Sequence, residues 1–230
     1  MKIITNHSLI NRNKKIGQFS TIISILVLGA GLYTSFQNEF QNLTFIALIV
    51  GFLLSQVGIY YITRWGRSPR PDEQINLALK GLDDKYSIYH YQTPASHLLV
   101  GPSGLIAITP AHQGGTITFD EKSGRWKQKG GNLYMKIFAQ ESLGRPDVEI
   151  KSTQEKLIKY LKNHFENLEI PEPQSILFFM SEKATVQANN APIPTLQQEK
   201  LKDCIRRKAK ENPVQPVVFE KIREGLPQVD

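Results

Sequence analysis

The sequence predicts an α/β domain carried on an apolar helical hairpin. Three observations predict it. Two runs near the amino end, 16–36 and 43–62, contain no Lys, Arg, Asp or Glu. Beyond them, short apolar runs punctuated by Gly and Pro alternate with segments of helical periodicity, in the order helix, three or four strands, helix, strand, helix. That order favours a mixed sheet flanked by helices. Cys204 is the only cysteine, so no intrachain disulfide staples the fold, which suits a reducing compartment.

Each apolar run is close to the roughly 20 residues that a helix needs to cross a hydrocarbon core. A helix is the form required there, because lipid offers no partner to an unpaired backbone group. The polar hexapeptide 37–42 reads as a tight turn between two transmembrane spans. Lys2, Arg12, Lys14 and Lys15 precede the first span and Arg64, Arg67 and Arg70 follow the second, whereas the connecting loop holds one acid, Glu39, and no base. Excess Lys and Arg mark the cytoplasmic side, so both termini are expected there. A cleaved signal peptide fits less well, since the first run is long and a second span follows at once. Small residues recur as Ser20-x-x-x-Ser24 and Gly51-x-x-x-Ser55, the spacing that lets helices approach closely, and the two spans are expected to pack on each other. Two spans without an intramembrane charge do not make a channel or transporter.

Residues 1–66 are thus assigned to the hairpin and 67–230 to a cytoplasmic domain with a loose C-terminal tail. The chain carries 28 Lys and Arg against 21 Asp and Glu. Residues 1–66 hold five bases and one acid, leaving 23 bases and 20 acids beyond. The basic balance is largely juxtamembrane and argues for topology and anionic headgroups more than for nucleic acid.

Within the domain, Pro71 suits the first turn of a helix, with Asp72 and Glu73 complementing its dipole and Gly81 ending it. Strands are expected over 86–92, 97–100 and 105–109, the last two joined by the turn Gly101-Pro102-Ser103-Gly104. Gly114-Gly115 leads into a hairpin over 116–127. Residues 129–146 read as a loop. Leu157, Ile158, Leu161 and Phe165 give the stripe of a helix over 148–165. A strand over 175–180 follows. Thr195 is placed as the cap of a last helix reaching 209, with Leu196, Leu201, Cys204 and Ile205 inward.

With these elements in order, the stretch 71–180 resembles the nuclease-related domain, a family of degenerate or active relatives of restriction-type endonucleases. Asp72-Glu73 stands for its helical acidic pair, Ala95-Ser96-His97 for its Ile-Asp-His strand, and Pro102-Ser103-Gly104 for its turn. Ile108-Thr109-Pro110-Ala111 falls where Ile-Glu-x-Lys would lie. Gly115-Thr116-Ile117 and Trp126 match. Gln154 matches a helical Gln, with Lys151-Ser152 in place of Asn-Pro. The resemblance implies a restriction-endonuclease-like mixed sheet flanked by helices. It also implies a lost reaction: Mg²⁺ wants oxygen ligands, and Ser96, Thr109 and Ala111 stand where the Asp, the Glu and the Lys would be. Glu73 and Gln154 are the remnants. No metal, cofactor or hydrolysis is expected, and the protein is read as a binding or scaffolding module. The rivals are a membrane-tethered nuclease with displaced ligands, for example Glu73, Asp120 and Glu121, and a structural subunit of a membrane complex.

Other candidates are weaker. His90, His97 and His112 read as packed or hydrogen-bonded rather than as zinc ligands. Neither a Gly-x-Ser-x-Gly elbow nor a phosphate-cradling Gly-Lys-Ser/Thr loop is present. Lys122, Arg125, Trp126 and Lys127, with Tyr134 nearby, combine cations and rings in the manner of a single-strand platform. The expected partners are therefore the lipid bilayer, a protein, and, with less support, nucleic acid.

Overall fold

The computed structural model of the chain describes residues 1–131, 143–165 and 168–228. It divides into two compact units, Met1–Asn6 with Pro71–Asp230, and His7–Arg70. The sequence boundary at residue 66 therefore misplaces the first six residues, which belong to the α/β unit.

The second unit is a helical hairpin. Helix α1 (His7–Ser35) and helix α2 (Gln41–Tyr61) are joined by a 3-10 turn, Asn38–Phe40. Both are long and apolar enough to cross a membrane. Helix α1 starts nine residues before the charge-free run, so Arg12, Lys14 and Lys15 extend it beyond the apolar band. The seam is built of small residues. A side chain at Gly17 would meet Tyr61 and Ile62, at Gly58 it would meet Thr21, and at Gly31 it would meet Ala47. Ser24 Oγ donates to the Gly51 carbonyl at 2.8 Å, and the Thr34 and Thr44 hydroxyls share a bond of 2.9 Å. Positions 17, 21, 24, 28 and 31 step by four and three, the seam of antiparallel helices in left-handed contact. The two spans pack on each other as expected, through a longer seam than the two small-x-x-x-small pairs. Ser55 bonds its own helix at Phe52.

The large apolar side chains lie outside. Phe19 is 62% exposed, Leu26 67%, Phe45 66% and Ile49 62%. A hairpin made for water places its apolar stripe inward; this one is inverted.

The α/β unit begins with strand β1 (Lys2–Thr5) and resumes with helix α3 (Pro71–Ala78). Strands β2 (Ser87–His90), β3 (His97–Gly101) and β4 (Gly104–Ala111) follow, then β5 (Gly115–Asp120) and β6 (Arg125–Lys129). Helix α4 (Pro146–His164), strands β7 (Gln174–Phe179), β8 (Ala184–Gln187) and β9 (Thr195–Gln197), and helices α5 (Gln198–Glu211) and α6 (Pro216–Gly225) complete it. The main sheet has the order β1-β2-β3-β4-β7-β9, and a second has the order β6-β5-β8. Strand β3 is antiparallel to both neighbours, and the other main-sheet pairs are parallel.

Alternation along the strands sorts the core into two layers. Ile88, Leu99, Ile106, Ile108 and Phe178 face α3 and α5, which contribute Ile75, Ala78, Leu201 and Ile205, with Leu79 just beyond α3. Tyr89, Leu98, Leu105 and Ala107 face α4 and α6, which contribute Leu157, Leu161, Phe219 and Ile222. Strand β4 is apolar from Leu105 to Ile108 because helices cover both its faces. The predicted mixed sheet flanked by helices is present.

Several elements depart from expectation. Strand β2 ends at His90 because Tyr91 takes a left-handed φ of 61°, which breaks the ladder. Thr195 is not a helix cap; it sits in β9, and α5 starts at Gln198. The tail is not loose. Pro216 occupies the first turn of α6, where a missing N–H costs nothing, and Phe219, Ile222 and Leu226 bury its inner face. Of the loop expected over 129–146, residues 132–142 lie outside the described residues, Tyr134 among them.

Candidate functional site

The positions matched to the nuclease pattern are spread over the domain. Glu73 lies in the first turn of α3. Ser96 is exposed in the turn before β3, and its carbonyl accepts the Tyr91 N–H at 2.7 Å. Thr109 and Ala111 lie on β4 opposite Leu177 and Phe179 of β7. Ala111 is 6% exposed in an apolar cluster with Ile117, Trp126 and Ile150. A charged side chain there would enter hydrocarbon without water. Gln154 on α4 donates its amide to the Pro173 carbonyl at 2.7 Å. That bond holds it at the amino end of β7, where Gln174 faces Ile106, whereas Ala111 faces Phe179 at the other end. Five residues of strand, roughly 16 Å, separate the two ends. Gln154 and the Thr109–Ala111 pair therefore anchor opposite ends of one strand.

Of the acids named as alternative ligands, Asp120 holds the β5–β6 turn and Glu121 ties it to Asn190. Asp120 accepts from the Ser123 hydroxyl at 2.9 Å and the Lys122 N–H at 3.1 Å, and its carboxylate lies 2.5 Å from Lys127 Nζ. The bond to Lys127 leads, and these contacts together hold its pKa down to about 2. Glu121 accepts from the Asn190 amide at 2.9 Å. Among the described residues, no group of three His, Cys, Asp or Glu converges as a metal site would require.

The basic group divides. Lys122, Arg125 and Lys127 are exposed on the β5–β6 hairpin. Trp126 points the other way: it is 6% exposed, its Nε1 donates to Thr195 Oγ at 2.9 Å, and its ring meets the edge of Phe119 at 4.9 Å. The strand alternation that exposes Arg125 and Lys127 buries the residue between them, so the indole is core and offers no open face to a base.

Two further features stand beside these residues. His90 and His97, both fully buried, face each other where β2 and β3 meet their connecting turn, with Nδ1 to Nδ1 at 2.8 Å. His90 Nε2 lies 3.0 Å from the Asn76 amide oxygen, so it carries the proton there. Its Nδ1 then accepts, and His97 Nδ1 donates. Both rings are hydrogen-bonded within the fold, as the sequence reading held. The second feature is a cleft of about 670 Å³ at the carboxyl ends of β7 and β9. Its lining includes the apolar Ala78, Phe179 and Met180 and the charged Glu182, Glu199 and Lys202. Clefts at that end of parallel strands are where α/β sheets take ligands. The signal was diffuse in the sequence, because the lining comes from three separate segments.

Comparison of the chain with protein-family models, with curated proteins and with solved structures gives no match.

Proposed function

We propose that this is a two-span integral membrane protein with both termini cytoplasmic, whose α/β unit is a binding or scaffolding module rather than an enzyme. The observation that carries the reading is the pairing of β1 with β2 across the hairpin. Lys2 to Thr5 lie beside Ser87 to His90 in one sheet, with the whole of α1 and α2 between them in the chain. A single crossing would put β1 and β2 on opposite sides of a bilayer, where they could not pair. Two crossings return the chain to the side it left. The inverted hairpin supplies the crossing segments: apolar side chains meet lipid, and small residues and hydroxyls meet each other. The flanking bases, against none in the turn, favour the cytoplasm for the α/β unit.

The absence of catalysis is argued from the nuclease-related resemblance. If the scaffold is of that family, an apolar Ala111 and a Gln154 tied to the far end of β7 leave it without an assembled ligand set. The rival, a Mg²⁺ nuclease using Glu73, Asp120 and Glu121, would have to break the contacts that close the β5–β6 turn.

Cysteine labelling tests the topology. In sealed cells Glu39→Cys is expected to react with an impermeant maleimide, and Arg67→Cys only after permeabilisation. Release of the chain by alkaline carbonate, or labelling of Arg67→Cys from outside, would overturn the reading. For the chemistry, purified full-length protein is expected to leave plasmid and RNA intact with Mg²⁺ or Mn²⁺; cleavage abolished by Glu73→Ala would establish the rival.

A further inference from the structure

The second sheet has one face in the core and one in water. Register places Thr116 beside Lys129, Thr118 beside Lys127 and Asp120 beside Arg125, and β8 adds Thr185 and Gln187 to the same face. Residues in register share a face because side chains alternate along strands. On the opposite face Ile117 is 0% exposed and Trp126 6%. The outer surface is thus flat and hydroxyl-bearing. Arg125, Lys127 and Lys129 form a row along its edge strand β6, spaced roughly 7 Å apart. Lys122 stands at the adjoining turn. Lys127 is paired with Asp120, whereas Arg125 and Lys129 carry no ion pair among the described residues.

Chain connections fix which end of the domain this sheet occupies. Strands β1, β2, β4 and β7 run in one direction. One residue, Asn6, separates the carboxyl end of β1 from α1. Strand β5 starts three residues after the carboxyl end of β4, and β8 four residues after that of β7. The Gly115 N–H donates to the Lys183 carbonyl, binding the two roots together. The cationic sheet is therefore rooted at the end of the main sheet from which the apolar hairpin departs.

We propose that the outer face of this sheet, through Arg125, Lys127 and Lys129, binds the phosphates of an anionic lipid surface. The inference rests on the membrane reading above and adds the partner. A row of cations beside a bilayer end lies within a Debye length, about 8 Å, of headgroup charge when the face meets the membrane. Each such cation strengthens attachment about fivefold. Nucleic acid is the less suitable occupant, because single strands need rings for their bases and the ring in this strand is buried.

The test uses the full-length chain with a fluorophore at Gln187→Cys. It is reconstituted into phosphatidylcholine vesicles, with or without phosphatidylglycerol, that carry a headgroup quencher. Quenching is expected to rise in anionic vesicles and to fall with added salt. It should be lost in the triple variant Arg125→Gln, Lys127→Gln, Lys129→Gln, whose surface attachment is weaker by about a hundredfold. The variant Lys127→Arg, Lys129→Arg is expected to keep it, and equal melting of all variants shows that the sheet remains folded. Carbonate-resistant protein whose quenching ignores both lipid charge and the triple substitution overturns this inference and leaves the membrane reading standing. Release by carbonate overturns both. Abolition of quenching by an RNA oligonucleotide at equal phosphate concentration overturns the inference and gives the face to nucleic acid.

Discussion

A hydrogen bond between two buried imidazoles demands that one ring give and the other take. His90 uses Nε2–H on Asn76 and so presents Nδ1 as an acceptor to His97. His97→Ala removes that donor inside the fold, a loss of about 1–3 kcal/mol of stability. His97→Asn places an amide nitrogen near the site of Nδ1 and is expected to restore about half. Urea unfolding of the two variants measures the difference, and equal destabilisation would show that the ring volume matters more than the bond. The half-buried Asp120 gives a pH signature. Its folded pKa, about 2, lies below the ordinary value of 3.8. Its contacts are therefore fully formed above about pH 4 and are lost as pH falls through about 2. The amide shift of Lys122, which donates to this carboxylate, should titrate with a midpoint near about 2. A midpoint near the unperturbed value would mean that the Lys127 pair does not persist in solution.

Among the elements, the hairpin seam and the last helix make opposite demands on sequence reading. The two apolar helices were legible because some twenty residues free of charge leave a long apolar helix as the natural reading. The seam was only partly legible, since small residues occur off it as well: a Cβ at Gly29 would meet nothing within 4 Å, whereas one at Gly51 would lie 2.6 Å from Leu28. Gly29→Ala is therefore expected to be neutral or slightly stabilising by helix propensity. Gly51→Ala forces the Leu28 side chain or the helices to shift and should lower resistance to denaturing detergent. Similar effects of the two substitutions would place the contact elsewhere. Helix α6 was illegible because Pro213, Pro216 and Pro227 suggest an irregular tail. Its signal was the spacing Phe219, Ile222, Leu226, and the Tyr89 hydroxyl reaches across to the Arg223 carbonyl at 3.1 Å. Phe219→Ala is expected to cost about 3–5 kcal/mol, read by thermal unfolding. The matched nuclease positions were read from their order along the chain. Order does not fix distance, so Gln154 and Ala111 were grouped although one strand's length separates their anchor points.

At the scale of the molecule, the α/β unit is interrupted in the chain by the helical hairpin. Strand β1 is four residues of Lys-Ile-Ile-Thr, too short to stand out beside an apolar span, and its partner lies more than eighty residues away. It is nevertheless a structural edge: Ile4 is 4% exposed, and every residue of β2 is buried. Because β1 is synthesised first and β2 only after both spans, the sheet cannot close until the hairpin has left the ribosome. Such long-range pairing is slow. A chain cut to start at Pro71 leaves the β2 edge bare and Ile4's place empty, an edge that invites pairing with other chains. Burial of Ile4 alone stabilises by about 1.5–3 kcal/mol. The shortened chain is expected to melt lower and to self-associate in size-exclusion chromatography. Joining Asn6 to Pro71 by a Gly/Ser linker in place of the hairpin should restore a monomer with a higher melting temperature, soluble without detergent. If the chain starting at Pro71 proves as stable and as monomeric as the linked one, β1 is dispensable, and the argument from its pairing to two crossings loses its premise.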